Sequence, residues 1–232
     1  MSRDRARLCL LRHGQGRLGT ADYDRLSPVG QTQSERLSRR LSDDYGRAWQ
    51  AWSGTLTRHR QTLARLDAEG APVEDDRLNE YTVDALIRSA VDQAEQLGIE
   101  PPAANAFDDP AAYLETFLRW FPEVLAAWQA EMLRCHKNGL WSAFHARVLA
   151  PVEHWQGDLR AGKSLVVVTS AGVISTITAE LLGRDLAWQR ELNVSLYNAS
   201  VTELVLDPDG RWQVDRVNCI DHLDEPGLRT LA

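Results

Sequence analysis

The sequence predicts an α/β fold, a three-layer α/β/α sandwich around a mostly parallel sheet, with a helical cap inserted. Three observations predict it. Residues 164–169 (SLVVVT) form a continuous β-branched apolar run bounded by Gly162-Lys163 and Ser170-Ala171-Gly172, the pattern of a strand buried on both faces. Residues 6–11 form a second short apolar run that ends at a polar, glycine-containing turn. Segments of helical character lie between the strands, and alternating strands and helices build parallel sheets.

The remaining elements follow in order. Ser27-Pro28 opens a helix, with serine as cap and proline at the first helical position, where its missing N–H is not needed; that helix is expected over 28–41. A strand over 48–52 precedes a helix over 55–66, and residues 70–76 read as a loop with a short strand. Residues 82–97 read as helix. Residues 98–109, with Pro101 and Pro102, read as loop. An aromatic-rich amphipathic helix over 110–134 contains Pro122, which is expected to kink or split it. Another helix spans 140–161. After the strand at 164–169 come a helix over 173–182 and a hairpin of 201–206 and 212–217, turned by Asp207-Pro208-Asp209-Gly210. The chain reads as one domain over 1–232, in which residues 81–145 break the alternation and form the cap.

The composition narrows the function. Hydrophobic residues make up 44% and charged residues 25% of the 232, as in an ordinary globular protein. A net charge of −7 argues against nucleic acid or an anionic membrane as partner, since both call for excess lysine and arginine. A small anionic ligand stays open, because a few local arginines outweigh the global sign. Three cysteines without a C-x-x-C pair predict reduced thiols, neither a disulfide framework nor a zinc site. The apolar run near the N-terminus is too short for a signal-peptide core, so a cytoplasmic protein without metal or cofactor is expected.

Ligands of open parallel sheets bind beyond the carboxyl ends of the strands. Two turns qualify: Arg12-His13-Gly14-Gln15-Gly16 and Ser170-Ala171-Gly172. A guanidinium holds phosphate oxygens bidentately, and an imidazole can attack phosphorus and carry the phosphoryl group. Arg12 and His13 together therefore suit phosphoryl transfer, although the same tripeptide also serves as a solvated surface turn.

The rest of the chain extends the pattern. The first motif has two parts, Arg12-His13-Gly14 and Asp24-Arg25-Leu26-Ser27-Pro28-Val29-Gly30; the second is Ser53-Gly54-Thr55-Leu56-Thr57-Arg58-His59-Arg60-Gln61-Thr62. Leu78-Asn79-Glu80 and Val167-Val168-Thr169-Ser170-Ala171-Gly172-Val173-Ile174 complete the series. In this order and spacing the four motifs resemble the histidine phosphatase (phosphoglycerate-mutase-like) superfamily, over most of the chain except residues 81–145. The resemblance implies His13 as nucleophile, Glu80 as proton donor, and Arg12, Arg58, Gln15 and Ser170 as substrate-binding residues. It implies a phosphomonoesterase working through a phosphohistidine on a small phosphorylated substrate, with inorganic phosphate also a ligand.

There are departures. One residue is added before Leu56, and His59 replaces a small residue; it reads as a helix-surface side chain. Ser170 stands where a second histidine is expected. Removing one donor to the transition state slows a reaction by about 10²–10³-fold. The alternative is therefore a phosphate-binding protein that no longer turns over, and restoring Ser170→His is expected to raise the rate. His222, in a C-terminal loop, is a packing residue or a substitute for the missing cation. No E-R-H-Y-G follows Glu80, which argues against a glycolytic mutase.

Overall fold

A computed structural model describes residues 6–17, 22–45, 49–68, 70–103 and 110–231. Its elements are β1 (Arg7–Arg12), α1 (Pro28–Tyr45), β2 (Trp49–Ser53), α2 (Thr57–Leu63), β3 (Val73–Glu74), α3 (Val83–Asp92), α4 (Ala94–Leu97) and α5 (Pro110–Gln129). They continue with α6 (Trp141–Leu149), α7 (Val152–Arg160), β4 (Ser164–Thr169), α8 (Ala171–Leu181), α9 (Leu186–Ser195), β5 (Val201–Leu206) and β6 (Trp212–Cys219).

The strands form one mixed sheet in the order β3-β2-β4-β1-β5-β6. The first four run parallel, β5 is antiparallel to β1, and β6 is antiparallel to β5. Side chains alternate between the sheet's faces and so feed two cores. Leu8, Leu10, Leu165 and Val167 join α5, α6, α7 and α8 on one side. Cys9, Leu11, Val166 and Val168 join Leu37 and Leu41 of α1 and Leu63 of α2 on the other. That is the expected α/β/α layering.

Several elements differ from expectation, each for a local reason. The helix over 82–97 breaks at Gln93 into α3 and α4. Pro122 lies inside α5 without ending it. The helix stops at Gln129 instead, where Glu131 takes a left-handed φ of 56° and the N–H groups of Met132 and Leu133 both return to the Ala127 carbonyl. The segment 140–161 is two helices, because Pro151 offers no N–H to continue α6 and α7 begins after it. Helix α9 was not expected at all; Asp185 caps it by accepting from the Trp188 N–H at 2.8 Å. The expected loop positions 104–109 lie outside the described residues. No helix among the described residues is long and apolar enough to cross a membrane.

Candidate active site

The parallel strands β1 and β4 are neighbours and end together, Arg12 facing Thr169 in register. This brings the two candidate turns side by side. The His13 N–H donates to the Thr169 carbonyl at 2.9 Å, and the His13 carbonyl accepts from the Ala199 N–H at 3.1 Å. The loop after β1 is thereby clamped from both sides. Gly14 continues it with its N–H on Thr62 Oγ1 at 3.0 Å. A Cβ at Gly14 would lie 2.3 Å from the Gly30 carbonyl oxygen, so only glycine lets the loop lie against the start of α1.

His13 is almost wholly buried. Its Nδ1 is 2.7 Å from the Gly14 carbonyl, which only accepts, so Nδ1 carries the proton. Nε2 is left with a lone pair and accepts from Arg58 Nε at 3.1 Å. Burial, and then the positive charges of Arg58 and Arg12, hold the imidazole well below its ordinary value. His13 is thus a neutral nitrogen base fixed in one tautomer, with Nε2 toward Arg58.

Arg58, in the first turn of α2, is held by Asp24: Nη1 donates to Oδ1 at 2.8 Å while Oδ2 accepts the Thr57 N–H at 2.8 Å. One carboxylate both caps α2 and aims its arginine. The guanidinium lies over the Tyr23 ring at 5.5 Å. Arg12 is also buried and donates from Nη1 to the Leu196 carbonyl. Burial lowers its proton affinity.

Glu80 is half-buried. Its Oε2 accepts the Gly172 N–H at 2.8 Å and its Oε1 the Tyr81 N–H at 3.2 Å. Desolvation nevertheless pushes its carboxyl above the usual range, outweighing those N–H groups and the charges of Arg58 and Arg12. Tyr81 is fixed in turn by Asn193, whose Nδ2 donates to the phenol oxygen at 2.8 Å. Arg12, His13, Arg58, Glu80 and Ser170 all line one cavity of about 430 Å³.

Two residues are placed differently from expectation, and a third keeps only its packing role. Gln15 is not among the lining residues; its side-chain oxygen accepts from Ser27 Oγ at 2.8 Å and its N–H donates to Gln33 Oε1 at 2.8 Å. It braces the loop against α1. His59 is not a surface residue but is fully buried, with Nε2 2.7 Å from Ser170 Oγ. The short α2 drives its N-terminal turn into the molecule, so Arg58 and His59 both face inward. His222 does not reach the cavity. It contacts the Ala199 carbonyl at 3.0 Å, and burial lowers it to about 4, which removes it as a substitute cation. The motifs did not point to Tyr23, Asp24 or Asn193. Their signal was faint: Asp24 stands in the second part of the first motif, but its bond to Arg58 joins residues 34 apart.

A buried histidine, two buried arginines and a carboxyl of raised pKa thus line one cavity at the carboxyl ends of a parallel sheet, an arrangement chemically suited to holding an anion. The model of the histidine phosphatase superfamily (branch 1) matches residues 8–117 and 113–220, and the chain belongs to that superfamily. Solved structures share the fold. The mycobacterial glucosyl-3-phosphoglycerate phosphatase in complex with VO3 is 21% identical, with 93% of this chain and 100% of that one covered and a TM-score of 0.62. Bacillus stearothermophilus YhfR is 18% identical, covering 94% and 98%, at 0.63. A phosphoserine phosphatase mutant from Entamoeba histolytica, in complex with phosphoserine, is 15% identical, covering 94% and 99%, at 0.60. Comparison of the sequence with curated proteins gives no match.

Proposed function

We propose that the protein is a phosphomonoesterase acting through a phosphohistidine. The observation that carries this reading is His13: its proton is committed to Nδ1, and its Nε2 lone pair is held beside Arg58 in the lining of the cavity. Arg12 and Arg58 bind the phosphoryl oxygens. Nε2 attacks phosphorus, the ester P–O bond breaks, and protonated Glu80 gives its proton to the leaving oxygen. The Glu80 carboxylate then takes a proton from water as the water oxygen attacks phosphorus. The P–N bond breaks, releasing inorganic phosphate and returning the proton to Glu80. The superfamily membership and the phosphatases among the structural neighbours support this reading.

The cavity also favours one kind of substrate. Beyond the phosphate end it is walled by Leu56, Leu114, Phe117, Leu118, Phe121 and Val194. Such walls suit a monoester with one phosphate and an apolar or aromatic organic part. Several of these residues lie on α5, in the segment 81–145 that we take as the cap. The free cysteines Cys9, Cys135 and Cys219 are consistent with a reducing, cytoplasmic setting.

The test is turnover of p-nitrophenyl phosphate with and without EDTA. Turnover that survives EDTA, disappears in His13→Ala and gives an acid-labile phosphoenzyme supports the reading. Phosphate binding with no turnover points to a binding protein instead, and equal turnover in His13→Ala removes the site from the chemistry. Among substrates, aryl phosphates are expected to exceed sugar phosphates in kcat/KM by about tenfold, each buried methylene contributing about 0.8 kcal/mol.

A further inference from the structure

The departures from the superfamily motifs converge on one spot. His59 Nε2 lies 2.7 Å from Ser170 Oγ, and its ring centroid lies 5.5 Å from that of His13. A Cβ at Gly54 would lie 2.3 Å from His59 Nδ1 and 2.8 Å from Asn79 Oδ1, so a glycine there leaves room for the imidazole. Gly54 is itself fixed, its N–H on the Val168 carbonyl at 3.1 Å. A lengthened loop, an extra histidine and a missing histidine are thus parts of a single contact.

Ser170 is the N-cap of α8, yet its hydroxyl makes no capping bond. The Gly172 N–H, an expected partner of a capping serine, is taken by Glu80. The hydroxyl is left to His59 and to the cavity it lines. The tautomer of His59 follows from its surroundings. No partner meets Nδ1 among the described residues. A proton on Nδ1 would bury an unsatisfied N–H, whereas a proton on Nε2 is satisfied by Ser170 Oγ. Burial and the neighbouring Arg58 keep the ring neutral.

Building on the phosphatase reading, we propose that His59 is a positioning residue for Ser170. Its Nε2–H donates to Ser170 Oγ, so the hydroxyl hydrogen turns into the cavity and donates to a phosphoryl oxygen of the ester held by Arg12 and Arg58. The pair supplies from two chain segments the donor that a second histidine would supply from one. A histidine added at position 170 alone meets the His59 ring, so Ser170→His is expected to lower the rate, contrary to what the motif alone suggests.

The experiment is a double-mutant cycle on p-nitrophenyl phosphate turnover, with His13→Ala as control and thermal melts to confirm folding. Ser170→Ala is expected to lower kcat about 10²-fold, and His59→Ala roughly tenfold, with KM nearly unchanged. His59→Ala adds nothing in the Ser170→Ala background, because its effect passes through the hydroxyl. His59→Gln, whose amide nitrogen also donates, retains most of the rate and serves where His59→Ala fails to fold. His59→Ala/Ser170→His regains activity over Ser170→His. Wild-type kcat in folded His59→Ala, multiplicative effects in the double variant, or a folded His59→Gln as slow as His59→Ala would each overturn the pairing while leaving the phosphatase reading intact. Undiminished turnover in His13→Ala would overturn that reading itself.

Discussion

At the scale of single residues, the site depends on two groups whose proton affinities are pushed in opposite directions by the same burial. In the mechanism we propose, a neutral His13 attacks and a protonated Glu80 serves leaving-group departure. Burial lowers the first and raises the second. The plot of kcat/KM against pH is therefore expected to be bell-shaped. Its acid limb, where His13 takes up a proton, falls well below pH 6.5; its alkaline limb, where Glu80 loses its proton, falls above 4.5. Glu80→Gln is expected to lower the rate by about 10²–10⁴-fold and to abolish the alkaline limb, as a pH series on both proteins would show. An alkaline limb unchanged in Glu80→Gln would assign it to another group.

At the scale of elements, the N-terminus of α8 is a tight joint beside Glu80. A Cβ on Gly172 would lie 2.3 Å from Glu80 Oε1 and 2.4 Å from Tyr81 Cε1. Alanine is the better helix former by about 1 kcal/mol, yet Gly172→Ala is expected to destabilise by about 1–3 kcal/mol from overpacking. It is also expected to lower kcat/KM more than tenfold, since Glu80 loses its backbone donor geometry. Denaturant melts beside kinetics on the one variant check both. Element by element, strands buried on both faces were the easiest to read: residues 164–169 match β4, and 6–11 lies one residue ahead of β1. Helix α9 was illegible because its inward residues include Gln189 and Asn193, which bond to Ser175 and Tyr81; polar groups satisfied inside the molecule erase the apolar stripe. His59 was misread for a related reason. Buried neighbours at consecutive positions break helical periodicity, and the partner that makes its burial tolerable is 111 residues away.

At the scale of the whole molecule, neutral buried histidines tie the fold to pH. His13, His59 and His222 are all lowered, His222 to about 4. Above pH 6.5 folded and unfolded chains carry these rings in the same neutral form. As the pH falls through 6.5 the unfolded chain takes up protons that the folded one refuses, so stability drops until the folded rings are protonated as well. For His222 the loss approaches roughly 3 kcal/mol between pH 6.5 and 4. Urea midpoints across that range are expected to fall, and to fall less in His222→Gln. An equal slope in the two proteins would move the acid sensitivity elsewhere.

The sheet order has a further consequence for how the protein is made. Among the described residues, strand β1, which delivers Arg12 and His13, pairs with β4 and β5, so Leu8 must find Leu165 and Leu204. When residues 1–150 of this sequence have left the ribosome, His13, Arg58 and Glu80 are out, but neither strand that pairs with β1 is. The nascent chain must keep an unpaired apolar strand out of trouble until β4 and β5 emerge, and the loop after β1 is clamped only then.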